Sequence, residues 1–109
     1  MTTITEIRDY AAKIAERFRP EKIILFGSFA NGRPTEDSDV DLLIVMPFRG
    51  RGWEKATEIS LELEAPFAMD MLVRRQSDIE LRLKEGDPFF TEVLNFGKIL
   101  YAGEHIQVA

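Results

Sequence analysis

The sequence predicts one small α/β domain of the α+β kind, a mixed β-sheet with helices packed mainly on one face. Three observations lead there. Short apolar runs at 22–26, 40–46, 67–73 and 98–101 have the length of buried strands. Segments with apolar residues at helical spacing separate them, in the order helix, strand, strand, helix, strand, helix, helix, strand. The 109 residues, 45% of them apolar, suffice for one core and one domain, 1–109, and no repeat, linker or low-complexity stretch divides it.

Each element has its own signal. Ile4, Ile7, Ala11, Ile14 and Phe18 mark the first helix, Thr3 and Glu6 have the spacing of a capping box, and Pro20 stops it. Lys22 to Phe26 is a continuous apolar run suited to a buried strand. Gly27-Ser28 breaks that run and opens a brief helix to Gly32, and Asn31 to Ser38 is turn chemistry throughout. Val40 to Met46 forms the second strand, ended by Pro47, and Phe48 to Gly52 is a flexible basic connection. Trp53, Ala56, Ile59 and Leu63 give the next helix its apolar stripe, which Pro66 terminates. Phe67 to Val73 is the third strand. Ser77 and Glu80 predict a capping box for a helix running to about Lys84, with Gly86 as its stop. Asp87-Pro88 pairs an N-cap with a first-turn proline for a last helix carrying Phe89, Phe90, Val93 and Leu94. Gly97 closes that helix, Lys98 to Tyr101 reads as a short edge strand, and the tail from Ala102 reads as frayed.

Composition narrows the chemistry. Fourteen basic residues against nineteen acidic ones leave a net charge of -5. A chain that grips duplex nucleic acid through many phosphates needs a basic face, so stable nucleic-acid binding is not expected. The absence of cysteine excludes disulfides, thiolate metal sites and a cysteine nucleophile. The single histidine, His105, stands near the end, which speaks against a histidine-rich metal site or a serine–histidine triad. No apolar run approaches the ~18 residues of a membrane span. The first residues lack the basic and apolar regions of a signal peptide. A cytoplasmic domain away from membranes is the expectation.

The informative residues are carboxylates inside strand-like segments. Asp39 and Asp41 flank Val40, and side chains two apart on a strand share a face. Like charges so placed raise one another's pKa unless a cation intervenes. Asp70 lies in the middle of an apolar run, where an unpaired buried charge is costly. If its strand neighbours the second one, Asp39, Asp41 and Asp70 converge into a hard-oxygen site for Mg²⁺ or Mn²⁺, not for zinc. Each has an ordinary alternative: Asp39 as a turn or cap residue, Asp41 on a solvated face, Asp70 paired with Arg74 or Arg75. Gly27-Ser28 is the complementary half. Glycine at a strand-to-helix junction lets a ligand approach the backbone, the N–H groups that follow attract an anion, and the Ser28 hydroxyl adds a donor. No Gly-Lys-Ser/Thr follows, so this is not a Walker A loop.

Gly27-Ser28, ten residues, Asp39-Val40-Asp41, then Asp70 in an apolar strand resemble the nucleotidyltransferase superfamily that includes DNA polymerase beta. The run from Phe26 through Gly27, Ser28 and Gly32 to Ser38, Asp39, Val40, Asp41, Leu42 and Leu43 is most similar to the minimal nucleotidyltransferases, the MntA-type antitoxin partners of HEPN-domain toxins. The resemblance extends from about Ile4 to Tyr101. It implies a palm-like nucleotidyltransferase fold, with Gly27 and Ser28 on the nucleotide's β- and γ-phosphates. It also implies two Mg²⁺ ions, with Mn²⁺ as a substitute, on Asp39, Asp41 and Asp70, the last also helping to activate the attacking hydroxyl. The implied reaction moves AMP from ATP to an acceptor hydroxyl and releases pyrophosphate. Two-cation chemistry needs no covalent nucleophile, in keeping with a chain lacking cysteine. Many relatives carry arginines just after Gly-Ser, where this chain has Phe29 and Asn31. Arg33, Arg49 and Arg51 remain as candidate phosphate contacts, the last two equally readable as a solvated loop.

Relatives that modify small molecules hold the acceptor in an extra helical domain, which this sequence lacks. The acceptor is therefore expected on another protein, in a homo- or hetero-oligomer. Three readings follow: an antitoxin that adenylylates a HEPN toxin, a small-molecule nucleotidyltransferase completed by a separate helical subunit, and a non-catalytic antitoxin that binds its toxin. Glu54, Glu58 and Glu62 at helical spacing offer either an acidic docking stripe or a solvated face. Phe89 and Phe90 cannot both face the core from adjacent helical positions.

Overall fold

The computed structural model describes residues 1–103, and His105 with the rest of the tail lies outside the described residues. Helix α1 (Ile4–Phe18) begins with the expected capping box. Thr3 Oγ1 accepts from the Glu6 backbone N–H at 3.2 Å while Glu6 Oε1 accepts from the Thr3 N–H at 2.9 Å. This satisfies two of the donors that a helix start leaves orphaned. Its buried stripe is Ile7, Tyr10, Ala11 and Ile14.

Strand β1 (Lys22–Phe26), the four-residue helix α2 (Ser28–Asn31) and strand β2 (Val40–Val45) follow. Helix α3 (Gly52–Glu62) then crosses over to β3 (Met69–Arg74). Helices α4 (Gln76–Lys84) and α5 (Pro88–Phe96) precede β4 (Lys98–Ala102), so Ala102 closes a strand and does not begin a frayed tail. The sheet order is β3-β2-β1-β4, with β1 antiparallel to both neighbours and β2 parallel to β3, a mixed sheet as expected.

Strands β1 and β2 are apolar without alternation because both of their faces are covered. On one face Ile23, Leu25, Leu42 and Ile44 pack with α1, with Phe29 and Ala30 of α2, and with Ile59 of α3. This is the larger core and carries most of the helical cover. On the other face Ile24, Leu43 and Val45 pack against Ile79 of α4 and Phe90 and Val93 of α5. Tyr10 ties α1 to the end of α3 by donating its hydroxyl to Leu63 O at 2.6 Å, and burial raises its pKa.

Two local expectations are corrected. Ser77 caps nothing, because the N-cap of α4 is Arg75, two residues earlier, and Ser77 lies within the first turn. Trp53 is 64% exposed and lies off the buried stripe of α3, which rests on Ile59. Among the described residues no helix is long and apolar enough to cross a membrane.

Candidate active site

The parallel pairing of β2 with β3 sets Asp41 directly beside Asp70 and Val40 beside Met69. Registered neighbours share a face, so the two carboxylates project together on the α4/α5 side of the sheet. Asp39 precedes β2 by one residue and is exposed. On the other side of β2, Asp41 pairs with Phe26, the last residue of β1. The chain then turns through Gly27 into α2. Three strands thus bring Asp70, Asp41 and the Gly27 turn into one row across the sheet.

Gly27 has φ 75° and ψ -155°, a conformation open essentially to glycine alone. A Cβ at this position would overlap Asp41 Oδ2. The Gly27 carbonyl accepts from the Ala30 and Asn31 N–H groups at 3.1 and 3.0 Å, which turns the chain into α2. The N–H groups of Ser28 and Phe29, ahead of those bonds, have no carbonyl partner within the helix and remain available to an anion. Arg33 donates its backbone N–H to Ser28 O at 3.1 Å, which keeps that loop against the turn.

Electrostatically the carboxylates act on one another. Asp41 has its pKa raised, first by burial and then by the negative charges of Asp70 and Asp39. No ion pair to Asp39, Asp41 or Asp70 occurs among the described residues. The alternative partners of Asp70 are engaged elsewhere: Arg74 donates to Val73 O at 2.9 Å, and Arg75 donates to Phe48 O and Gly50 O and pairs with Asp78 at 3.3 Å. Three mutually repelling oxygen donors without a cationic side chain fit a hard divalent cation. Among the described residues no three such side chains stand close enough to form a closed metal-ligand set.

Arg49 and Arg51 are not brought to this row. They follow the C-terminal end of β2, whereas Asp41 stands at its start, about 13 Å away along the strand at ~3.3 Å per residue. There Arg51, Arg74 and Arg75 line a separate basic cavity of about 470 Å³, with Arg75 stacked over Phe48 at 4.1 Å. The acidic stripe of α3 is also occupied locally. Glu54 Oε1 accepts from the Arg51 N–H, Glu58 pairs with Lys55 at 2.9 Å, and Glu62 pairs with Arg17 at 3.0 Å.

What sequence reasoning missed lies on the other flank of Gly27. A cavity of about 110 Å³ opens between the turn and α5, walled by Phe26, Phe89 and Phe96 with Asn31 and Glu92 at its polar positions. The adjacent phenylalanines have divided their tasks: Phe90 is buried, and Phe89, 41% exposed, packs edge-on against Phe26 at 5.6 Å. The pair was a visible signal, but only the fold tells which ring goes where.

Residues 8–105 match the family described as "Polymerase beta, Nucleotidyltransferase". Among curated proteins, "Putative protein adenylyltransferase MJ0604" of Methanocaldococcus jannaschii is 33% identical over 91 residues, 84% of this chain and 88% of that protein. Among solved structures, one described as "a putative nucleotidyltransferase from Sulfolobus solfataricus" superposes with a TM-score of 0.62 at 17% identity, over 91% of this chain and 79% of that one. A toxin-antitoxin crystallised with AMP-PNP superposes with a TM-score of 0.56 at 19% identity, over 91% of this chain and 76% of that one. At such identities the structural likeness speaks to the fold.

Proposed function

The chain belongs to the polymerase beta nucleotidyltransferase family, and we propose that as one such domain it transfers AMP from ATP to a hydroxyl group of a partner protein, as the antitoxin of a HEPN-domain toxin in the cytoplasm. The observation that carries the reading is the row formed by Asp70, Asp41 and the Gly27 turn. It sets carboxylates against a backbone anion seat, which is what nucleotidyl transfer requires. The curated relative's name supports a protein acceptor. The structural likeness to a toxin-antitoxin, crystallised with an ATP analogue, supports the toxin and the nucleotide.

In this reading Asp39, Asp41 and Asp70 hold two Mg²⁺ ions, or Mn²⁺ in their place. When bound, such cations stabilise the attacking and leaving oxygens of an in-line displacement. The Gly27 turn and the Ser28 hydroxyl hold the β- and γ-phosphates, and Arg33 stands close enough in the chain to add a charge. Asp70 orients the acceptor hydroxyl and takes its proton as the oxygen attacks the α-phosphorus. The bond to the pyrophosphate oxygen breaks, and pyrophosphate leaves. The rate then comes from positioning and charge compensation.

The test supplies purified protein with Mg²⁺, α-phosphate-labelled ATP and a lysate of the source cells, beside an Asp39→Asn/Asp41→Asn control. A labelled HEPN-domain protein seen with the wild type alone is the expected result. Label in a small molecule would favour a small-molecule acceptor, and a captured toxin without label a binding-only antitoxin; either would overturn the proposal.

A further inference from the structure

Strand β3 carries Asp70 near its start and Arg74 at its end. Residues two apart on a strand share a face, so both project on the α4/α5 side, about 13 Å apart at ~3.3 Å per residue. β3 is also an edge strand of the sheet. The basic cavity of about 470 Å³ follows it from Met71, next in the chain to Asp70, as far as Arg75, with Phe48 and residues 50–53 as the facing wall. A second cavity of about 270 Å³ continues from Arg74 and Asp78 to Leu81 and Arg82. Together they make a groove that runs from the reacting end of β3 to a cluster of guanidinium groups.

The arginines differ in what holds them. Arg75 serves the fold: it donates to Phe48 O and Gly50 O at 3.0 Å each and pairs with Asp78, which fixes the wall on which Arg51 stands. Arg51 and Arg74 have no ion pair among the described residues, although a net charge of -5 leaves carboxylates in excess. Arg74 donates one N–H to Val73 O at 2.9 Å, which steadies its fork, and Arg51 is exposed. The nearby carboxylates are committed, Asp78 to Arg75 and Glu54 to the Arg51 N–H. Trp53 adds an exposed aromatic ring to the lining. Exposed arginine and tryptophan are the residue types that anchor protein–protein contacts, and a guanidinium fork matches a carboxylate. The nucleotide's phosphates have their own seat at the Gly27 turn, and the chain's overall negative charge opposes a long polyphosphate here. We infer that this groove docks an acidic segment of the acceptor protein, with its carboxylates on Arg51 and Arg74, so that a hydroxyl elsewhere on that protein's surface reaches Asp70. The inference rests on the transferase reading and adds to it the surface that holds the acceptor.

Trp53 is the chain's single tryptophan, so its fluorescence reads the groove directly. Hexaglutamate should shift that emission saturably, and hexathreonine should not. Arg51→Glu and Arg74→Gln should each weaken hexaglutamate binding about tenfold or more. Both variants should bind ATP as the wild type does, which is the internal check on folding. In the lysate labelling assay, hexaglutamate should suppress labelling of the acceptor protein, and more lysate, but not more ATP, should relieve the suppression. No saturable shift, or hexaglutamate binding unaltered in both variants, would overturn the inference. Tighter binding of oligothymidylate than of hexaglutamate would also overturn it by giving the groove to nucleic acid. Peptide-free emission that shifts with the protein's own concentration would do so by giving it to a second copy. Hexaglutamate bound at Trp53 by a wild type that transfers no label would instead contradict the transferase reading, and with it the acceptor as occupant, while the carboxylate site itself stood.

Discussion

Gly27 and Asp41 compete for one place: a side chain on the glycine would overlap the carboxylate oxygen of the aspartate. This contact welds the phosphate turn to the start of β2. It follows that Gly27→Ala must both enter a glycine-only backbone region and push Asp41 aside. We expect a loss of about 1–3 kcal/mol in stability from the backbone conformation alone. Thermal unfolding should report it, and nucleotidyl transfer should fall with it.

Asp41→Asn separates stability from activity. The Asp41 pKa is raised above its ordinary value of 3.8 by burial and by Asp70 and Asp39. A raised folded-state value means that ionising the group works against the fold. That penalty is absent well below pH 3.8 and fully present above the folded pKa. Without divalent cations, Asn should therefore raise the melting temperature at pH 7, with the gain vanishing as the pH falls through the Asp41 titration. Transfer should fall by about 10² or more, on the scale of removing one group that stabilises transition-state charge. Melting curves from pH 3 to 7 in chelator, beside a transfer assay, check both halves.

Divalent cation should reverse that order. Mg²⁺ at about 100 times its dissociation constant stabilises a protein that binds it only when folded by ~2.7 kcal/mol. Wild type should melt higher in Mg²⁺ than in chelator, while Asp39→Asn/Asp41→Asn should show no such difference. Calorimetric scans with and without the ion decide it.

The rim of the aromatic cavity depends on a helix cap. Asp87 accepts from the Phe89 and Phe90 N–H groups at 2.8 and 3.3 Å. Asp87→Ala should cost about 1 kcal/mol, measured by urea unfolding, as for other N-cap replacements.

Arg49→Ala and Arg51→Ala should leave the KM for ATP unchanged. Both residues follow the far end of β2, beyond the reach of the Gly27 turn. A large rise in KM from either would contradict the placement of the nucleotide.

Much of this was legible in the chain because local rules and tertiary packing agree. The Thr3–Glu6 box, the Asp87-Pro88 start and the glycine stops each act within a few residues, and the structure keeps them. Ser77 failed because α4 begins after Arg75, two residues earlier, with no side-chain cap there and the Arg75 side chain bonded to Phe48 O and Gly50 O, a tertiary contact that local capping rules do not see. Of the expected stripe, Ala56, Ile59 and Leu63 pack on the core, and Trp53 alone fails, because the first turn of α3 meets β3 through Gly52, where a Cβ would strike Val73 O, and leaves the Trp53 ring outside. Asp39 and Asp41 could be paired from spacing alone. The pairing of Asp41 with Asp70 could not, since it depends on a parallel register created by the α3 crossover. Gly27 was read as a ligand approach and Gly97 as a helix stop, but the atoms that exclude a side chain at each, Asp41 of β2 at Gly27 and Val93 of α5 with Ile24 and Leu25 of β1 at Gly97, are set by the fold.

The central claim is transfer of the nucleotidyl group, and the position of the label tests it most directly. The wild type, Mg²⁺ and its acceptor protein should be incubated with ATP labelled at the α-phosphate in one reaction and at the γ-phosphate in another. The account predicts acceptor labelling from the α-phosphate alone, γ-label released as pyrophosphate, and neither product with Asp39→Asn/Asp41→Asn. Acceptor labelling from the γ-phosphate, or α-labelling that survives both substitutions, would contradict it.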